Sequence, residues 1–324
     1  MYSFKPISVV IATFTEKRWS DLVDAVASVK QQSLPAKEII IAVDHNPSLL
    51  RRITTEISDV NAIPNKFARG ASGTRNSGAA VSTGTILAFL DDDAVAEPDW
   101  LLRLSEGYVD ESVCAVGGRV APLWLDGRPK WFPDEFTWVV SASYKGGPVR
   151  MEAVRNLWTV NMSVLRSVFE GVGGFRPHFG KVGARSRPED TELCIRMSQA
   201  WPGKAIMYNP NAMVLHKVPA GRARFSYFAL RCYHEGFGKA ELARYFGQSP
   251  VLELEHRYVR RVLSESVITG CYEAFFRGDF DSLARVGAVI SGISCACAGF
   301  SLGALAGALS FSAHRSSPPS VERQ

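Results

Sequence analysis

With 324 residues, 46% of them hydrophobic and 21% charged, the chain is long enough for one large domain with an appendage or for two domains, and its composition excludes a disordered polypeptide. The net charge of +5 is unevenly placed: residues 217–261 hold nine Lys or Arg against four Glu, so the remainder is near neutral. A basic patch of this kind suits nucleic acid, anionic lipid, a phosphorylated substrate or plain solvation, and composition does not choose among them. The six cysteines, at 114, 194, 232, 271, 295 and 297, form no CxxC pair and read as reduced core thiols, which argues against a zinc site or a disulfide framework.

The β-branched run Ile7 to Thr13 predicts a first buried strand, with no basic region and long apolar run before it that would mark a secretory leader. A helix follows from about Asp21 to Gln32, with Leu22, Val26 and Val29 on one face and Ser20 as its N-cap. Lys37 to Asp44 is a second buried strand, so the opening is a βαβ unit and the sheet is expected to be parallel. A third short strand covers Val60 to Pro64. The glycine-rich GASGTRNSG at 70–78 then reads as a loop before a short helix, Ala79 to Ser82. It offers close backbone approach, a guanidinium at Arg75 and an amide at Asn76, but it lacks P-loop and dinucleotide spacing.

Thr85 to Ala94, TILAFLDDDA, is the most informative stretch, because five apolar residues end abruptly in Asp91, Asp92 and Asp93. The run predicts a strand buried on both faces, and open α/β sheets bind ligands at such carboxyl ends. Three adjacent carboxylates repel unless a cation lies among them, and hard oxygen ligands suit Mg²⁺ or Mn²⁺; the alternative is a solvated acidic turn.

Helix Pro98 to Tyr108 and strand Val113 to Val120 come next. The aromatic stretch from Pro122 to Gly147 reads as a flap, an acceptor platform or a small subcore. Residues 156–175 predict a strand and then a helix from Ser163. Pro188 opens a helix whose Glu189 and Asp190 suit either chemistry or capping. A final strand, Met207 to His216, ends in a histidine that is either structural or a ligand. Phe225 to Phe246 and Val251 to Arg277 are helical. Residues 286–313 carry no charge, about 42 Å as a helix at ~1.5 Å per residue, enough to cross a bilayer. Gly299, Gly303 and Gly307 form tandem GxxxG units, which favour membrane association and suggest pairing of two copies. Spanning and lying in the interface both remain open.

Taken in order, SVVIATFTE, AVD, RNSGAA, FLDDDA, GGF and EDTEL followed by VLH resemble the family 2 glycosyltransferases, across residues 7 to about 217. The later VPAGRARFSYFALRCYHEGFGKA resembles membrane-associated members acting on polyprenyl- or dolichyl-phosphate-linked glycans, glucuronosyltransferases among them. The resemblance implies a GT-A fold: a doubly wound, mainly parallel Rossmann-like α/β sheet over residues 1–220, then a basic helical extension at 221–285, a membrane-associated segment at 286–313 and a disordered tail at 314–324. It implies that Thr13, Phe14, Glu16 and Asp44 surround the nucleotide base, and that Arg75, Asn76 and Asp92 also belong to the nucleotide-sugar site. Asp91 and Asp93 correspond to the metal-binding acids, Asp93 more directly, with His216 completing the sphere of a Mn²⁺ or Mg²⁺ ion. Asp190 corresponds to the general base, with Glu189 as its neighbour, and the preceding Arg185 and Arg187 depart from the family pattern.

The implied activity is inverting transfer from a nucleotide sugar, UDP-glucuronate or a UDP-hexose, to a glycan or lipid-linked acceptor. It takes place at the cell membrane with the catalytic domain cytoplasmic and without nucleic acid. Two rivals stand beside it: an aspartate-nucleophile phosphohydrolase using Asp91 and Asp93, and a non-catalytic membrane scaffold.

Overall fold

The computed structural model describes residues 4–177, 179–182 and 185–315; most of the expected tail at 314–324 lies outside them. The chain divides into two compact units, Met1–Arg128 with Asp134–Ala223, and Pro129–Pro133 with Arg224–Gln324.

The first unit opens with β1 (Ile7–Thr13), α1 (Trp19–Lys30), β2 (Glu38–Val43), α2 (Pro47–Glu56), β3 (Asn61–Pro64), α3 (Ala71–Val81) and β4 (Ile86–Asp91). β1 lies between β2 and β4, β3 flanks β2, and every pairing is parallel. Consecutive residues of a strand point to opposite faces, and Val9, Val10 and Ile11 are all fully buried, so both faces of the sheet are covered. The glycine-rich stretch is itself helical as α3, which corrects the expected loop. Gly78 is the reason: a Cβ there would run into Val10 Cγ1 of β1, so a small-residue face is what lets this helix lie on the strand, and packing overrides weak helix propensity.

The chain continues through β5 (Ala94–Ala96), α4 (Trp100–Glu106), β6 (Val113–Trp124), β7 (Glu152–Ala153), β8 (Asn161–Leu165) and α5 (Arg166–Gly171). A hairpin of β9 (Gly180–Val182) and β10 (Arg185–Arg187) leads to α6 (Glu189–Ala200) and the long β11 (Ala205–Val218). The nine-stranded sheet runs β3-β2-β1-β4-β8-β6-β11-β5, with β7 also on β11. β8 is antiparallel to both β4 and β6, and β6 is parallel to β11. β1 to β4, β6 and β11 therefore share one direction, giving a mainly parallel sheet of GT-A type. Ser163 and Val164 pair within β8, so the helix expected from Ser163 starts later, at Arg166. Asn161 fixes this insertion: its Oδ1 accepts from Trp100 Nε1 at 2.8 Å, and its Nδ2 donates to the carbonyls of Arg119 at 2.9 Å and Ala212 at 2.8 Å.

The second unit holds α7 (Phe225–Phe246), α8 (Gln248–Val262), a π-helical turn (Leu263–Val267), α9 (Ile268–Arg277) and α10 (Asp281–Arg315). Trp131 and Phe132 pack edge-on against Phe228, so this part of the aromatic stretch is subcore. Phe136, Val139 and Val140 are buried in the first unit. The GxxxG stripe expected to pair two copies is used inside the chain. A Cβ on Gly299 would run into the Tyr233 carbonyl, and one on Gly303 would stand 3.0 Å from both the Phe237 carbonyl and Ala240 Cβ; the small residues let α7 and α10 approach backbone to backbone.

Candidate functional site

Strand order brings the acidic triplet to its partners. β5 pairs antiparallel with β11 so that Ala94 lies opposite His216, and the Lys217 N–H donates to the Asp93 carbonyl at 2.9 Å. His216 is thereby carried from the far end of the sequence to Asp93, and ligand atoms of Asp91, Asp93 and His216 lie within 4.8 Å of one another. The His216 ring is oriented from behind by the Val140 carbonyl, 2.8 Å from Nδ1. A carbonyl can only accept, so Nδ1 carries the proton and, on the neutral ring, Nε2 presents a lone pair. That lone pair stands 3.2 Å from Asp93 Oδ1. Two acceptors at that separation require a proton or a cation between them. Two carboxylates and an imidazole form a donor set that suits a divalent metal.

Asp92 and Asp93 are buried, and the cations that make this tolerable come from outside the strand. Arg18, at the end of the 3₁₀ turn Glu16–Arg18, reaches Asp92 at 2.8 Å and Asp93 at 3.1 Å. Arg222, in the 3₁₀ turn Ala220–Ala223, reaches Asp93 at 3.1 Å and His216 Nε2 at 3.3 Å. Burial alone would raise the Asp93 carboxyl, but Arg222 and Arg18, joined by His216 whenever its Nε2 carries a proton, hold it far below the usual carboxylate range. For Asp92, burial and the neighbouring Asp93 charge win, pushing it up to about 6 against Arg18 and the Thr13 hydroxyl.

Arg75 on α3 makes the second bridge. Its guanidinium donates to Asp91 at 2.7 Å and to Glu189 at 3.1 Å, joining the end of β4 to the start of α6. Burial works against the Arg75 charge, yet Asp91 and Glu189 outweigh it and its pKa is raised. Burial also pushes the Glu189 carboxyl up despite Arg75. The shorter contact makes Asp91 the firmer partner of the pair. Asp190, one residue on, accepts from the Thr191 N–H at 2.7 Å through Oδ1 at the helix start.

The other expected residues are placed as follows. Thr13 donates its hydroxyl to Asp92 at 2.7 Å, tying the ends of β1 and β4. Phe14 is half exposed, 5.7 Å below the Arg18 guanidinium. Glu16 accepts from Ser48 at 2.6 Å. Asp44 accepts from Asn65 at 2.8 Å and from the Gly70 N–H at 3.0 Å, holding the entry to α3. Asn76 is committed to the backbone of Phe175, donating to its carbonyl at 2.7 Å and accepting from its N–H at 2.9 Å. Arg18 and Arg222 thus join Asp92, Asp93, Thr13 and His216 in one cluster, and Arg75 joins Asp91 to Glu189 in a second, while Glu16, Asp44 and Asn76 are bonded to neighbouring loops. The side chain of Arg185 lies outside the described residues. Sequence reasoning missed Arg18, Arg222 and the Val140 carbonyl. The signal available for the two arginines was the need of three adjacent carboxylates for a positive partner.

Known proteins resemble this chain in sequence and in fold. A glucosyl-dolichyl phosphate glucuronosyltransferase of Haloferax volcanii is 34% identical over 238 residues, covering 72% of this chain and 76% of that protein. The succinoglycan biosynthesis protein ExoM of Rhizobium meliloti is 32% identical over 157 residues, covering 48% of this chain and 47% of that protein. Among solved structures, the mannosyltransferase PcManGT from Pyrobaculum calidifontis, in complex with GDP-Man and Mn²⁺, superposes with a TM-score of 0.57 at 15% identity, covering 90% of this chain and 87% of that one. At that identity the likeness carries the fold alone, which is the GT-A fold. Residues 8–173 match the glycosyl transferase family 2 description, a span that contains all of β1 after Ile7, α3 and the acidic end of β4, and with it the chain belongs to glycosyl transferase family 2 and is a glycosyltransferase.

Proposed function

We propose that the protein transfers a sugar from a UDP-sugar, UDP-glucuronate or a UDP-hexose, to a polyprenyl-phosphate-linked glycan, with inversion at the anomeric carbon. The reading rests on one observation, the convergence of Asp91, Asp93 and the lone pair of His216 Nε2 at the carboxyl end of β4. The name of the Haloferax relative supports the donor and acceptor classes.

When bound there, Mn²⁺ or Mg²⁺ supplies charge to neutralise the departing nucleoside diphosphate. The protein's own groups do the rest. Val140 keeps the Nδ1 proton in place so that Nε2 remains a ligand. Arg75 holds Asp91 and Glu189 in fixed orientation. Asp190 takes the proton of the acceptor hydroxyl as that oxygen attacks from the face opposite the phosphate, so inversion follows in a single displacement. Asp91, tied to Arg75, is poorly suited to the nucleophile's role that a phosphohydrolase would give it. The enzyme acts at the membrane, with its catalytic unit on the cytosolic side where nucleotide sugars are made.

The test is a thermal-shift series with UDP-glucuronate, UDP-glucose and GDP-mannose, each with Mn²⁺ or with chelator. A donor at a hundred times its Kd is expected to add about 2.7 kcal/mol of stability, visible with UDP-sugars and Mn²⁺ only, and absent in Asp93→Asn. An equal shift in chelator would remove the metal from the donor site, and a response to GDP-mannose alone would replace the donor.

A further inference from the structure

Asp281–Ala308 of α10 is long and apolar enough, by length and composition, to cross a bilayer. Two features of the second unit point to a different placement. The first is the company α10 keeps. Gly299 packs on Tyr233, Gly303 on Phe237 and Ala240, and Gly307 on Arg244, so α7 runs parallel beside the later half of the apolar helix. Between Tyr233 and Arg244, α7 carries His234, Glu235, Lys239, Glu241 and Arg244. Lys239 in turn pairs with Glu235 at 3.5 Å and with Glu255 of α8 at 2.9 Å. A spanning α10 would draw this charged ladder through about 18 Å of hydrocarbon at ~1.5 Å per residue, and ionisable side chains at that depth are costly.

The second feature is α9, whose apolar side faces outward. Gly270 and Ala274 are its buried positions. Ile268, Tyr272, Phe275 and Phe276, at i, i+4, i+7 and i+8, are 68%, 53%, 77% and 77% exposed, and Phe280, just past the left-handed Gly278, is 74% exposed. A helix of a water-soluble surface shows the reverse arrangement. Tyr272 stacks on Phe276 with ring centroids 4.9 Å apart, and the Arg277 guanidinium lies 6.0 Å from the Tyr272 ring. Aromatic rings beside an arginine are the side chains that favour the headgroup region of a bilayer. The neighbouring α8 adds exposed Arg257, Arg260 and Arg261, which match an anionic leaflet.

We infer that the second unit is an in-plane anchor on an anionic bilayer: the α9 stripe of Ile268, Tyr272, Phe275 and Phe276, together with Phe280, is immersed at the headgroup boundary, and α10 does not cross. This rests on the membrane location proposed above and settles how the membrane is met.

The test uses the full-length chain. With vesicles of equal parts phosphatidylcholine and phosphatidylglycerol, the wild type is expected to co-sediment. The double variant Phe275→Ser/Phe276→Ser is expected to lose at least tenfold in partitioning, since roughly that factor attends withdrawal of one large apolar side chain from its apolar surroundings. Phe275→Trp/Phe276→Trp is expected to retain binding, which separates loss of the stripe from loss of folding. In sealed inverted membrane vesicles, protease added outside is expected to remove a C-terminal tag together with the catalytic unit. A protected tag would mean that α10 spans, and would overturn the inference. Serine variants that sediment like wild type would also overturn it, as would a stripe that holds two copies together in gel filtration without binding vesicles. Vesicle binding by a chain showing no donor-dependent thermal shift leaves the anchor standing and sinks only the catalytic reading.

Discussion

Asp190→Asn is expected to bind the proposed UDP-sugar donor with unchanged affinity and to transfer its sugar on the order of 10²–10⁴ times more slowly, the span over which a positioned general base contributes. Asp190 holds the Thr191 N–H through Oδ1, and an asparagine carbonyl can keep that bond at the start of α6 while the proposed proton acceptor is lost. Glu189→Gln is the control. Glu189 faces Arg75, so its loss weakens a structural bridge and is expected to lower thermal stability more than Asp190→Asn does. Single-turnover transfer with saturating donor, alongside donor titration, reads both effects. Near wild-type transfer by Asp190→Asn with a dead but folded Glu189→Gln would move the base to Glu189. Unfolding of both variants would reduce the acidic pair to a helix start.

Arg75→Met is expected to destabilise the catalytic unit strongly. Arg75 is almost wholly buried and bonds Asp91 at 2.7 Å and Glu189 at 3.1 Å. Deleting it leaves two partly buried carboxylates facing each other without a cation. Breaking a buried pair in this way costs about 3–5 kcal/mol, which lowers the melting temperature on the order of 10 °C for a domain of this size. Arg75→Lys is expected to recover only part of this, because an ammonium is a point charge and does not present a fork to two carboxylates. Adding Glu189→Gln to Arg75→Met is expected to regain stability by removing one orphaned charge, a non-additivity that a merely bulky core position would not show. Denaturant melts of the wild type, Arg75→Met, Glu189→Gln and the double variant decide the matter, and additive losses would reject the bridge.

The parts of the fold read directly from sequence are those where local pattern and tertiary environment agree. Val9 to Ala12, Ile39 to Val43 and Ile86 to Leu90 are continuous apolar runs because they lie inside a covered parallel sheet, and their order in the chain is enough to predict βαβ winding. The glycine-rich helix α3 was not legible, since its stability comes from contact with Val10 and its own residues are poor helix formers. Within the site, Asp91, Asp93 and His216 could be named from motif order. Arg18 and Arg222 could not, because each lies on a 3₁₀ turn and no periodicity announces where such a turn aims its side chain. The same holds for the Val140 carbonyl, a backbone atom with no residue-type signature. The GxxxG stripe was legible as a close-packing surface, but sequence alone could not tell an internal partner from a second copy.

The insertion of β8 between β4 and β6 has a kinetic consequence during synthesis. The first three parallel pairings close locally, within the opening segment of the chain. β4, however, ends at Asp91 and its second neighbour begins only at Asn161. At roughly 5–20 residues per second the ribosome takes several seconds to deliver that strand. Over that interval the nascent chain presents the free backbone edge of Ile86 to Leu90, an uncharged five-residue run, to whatever it meets. The arrival of β8 is therefore one of the long-range steps of folding, completed only when β11 supplies the Ala212 carbonyl to Asn161, and a chaperone that shields the β4 edge until then is expected to raise the yield of folded enzyme.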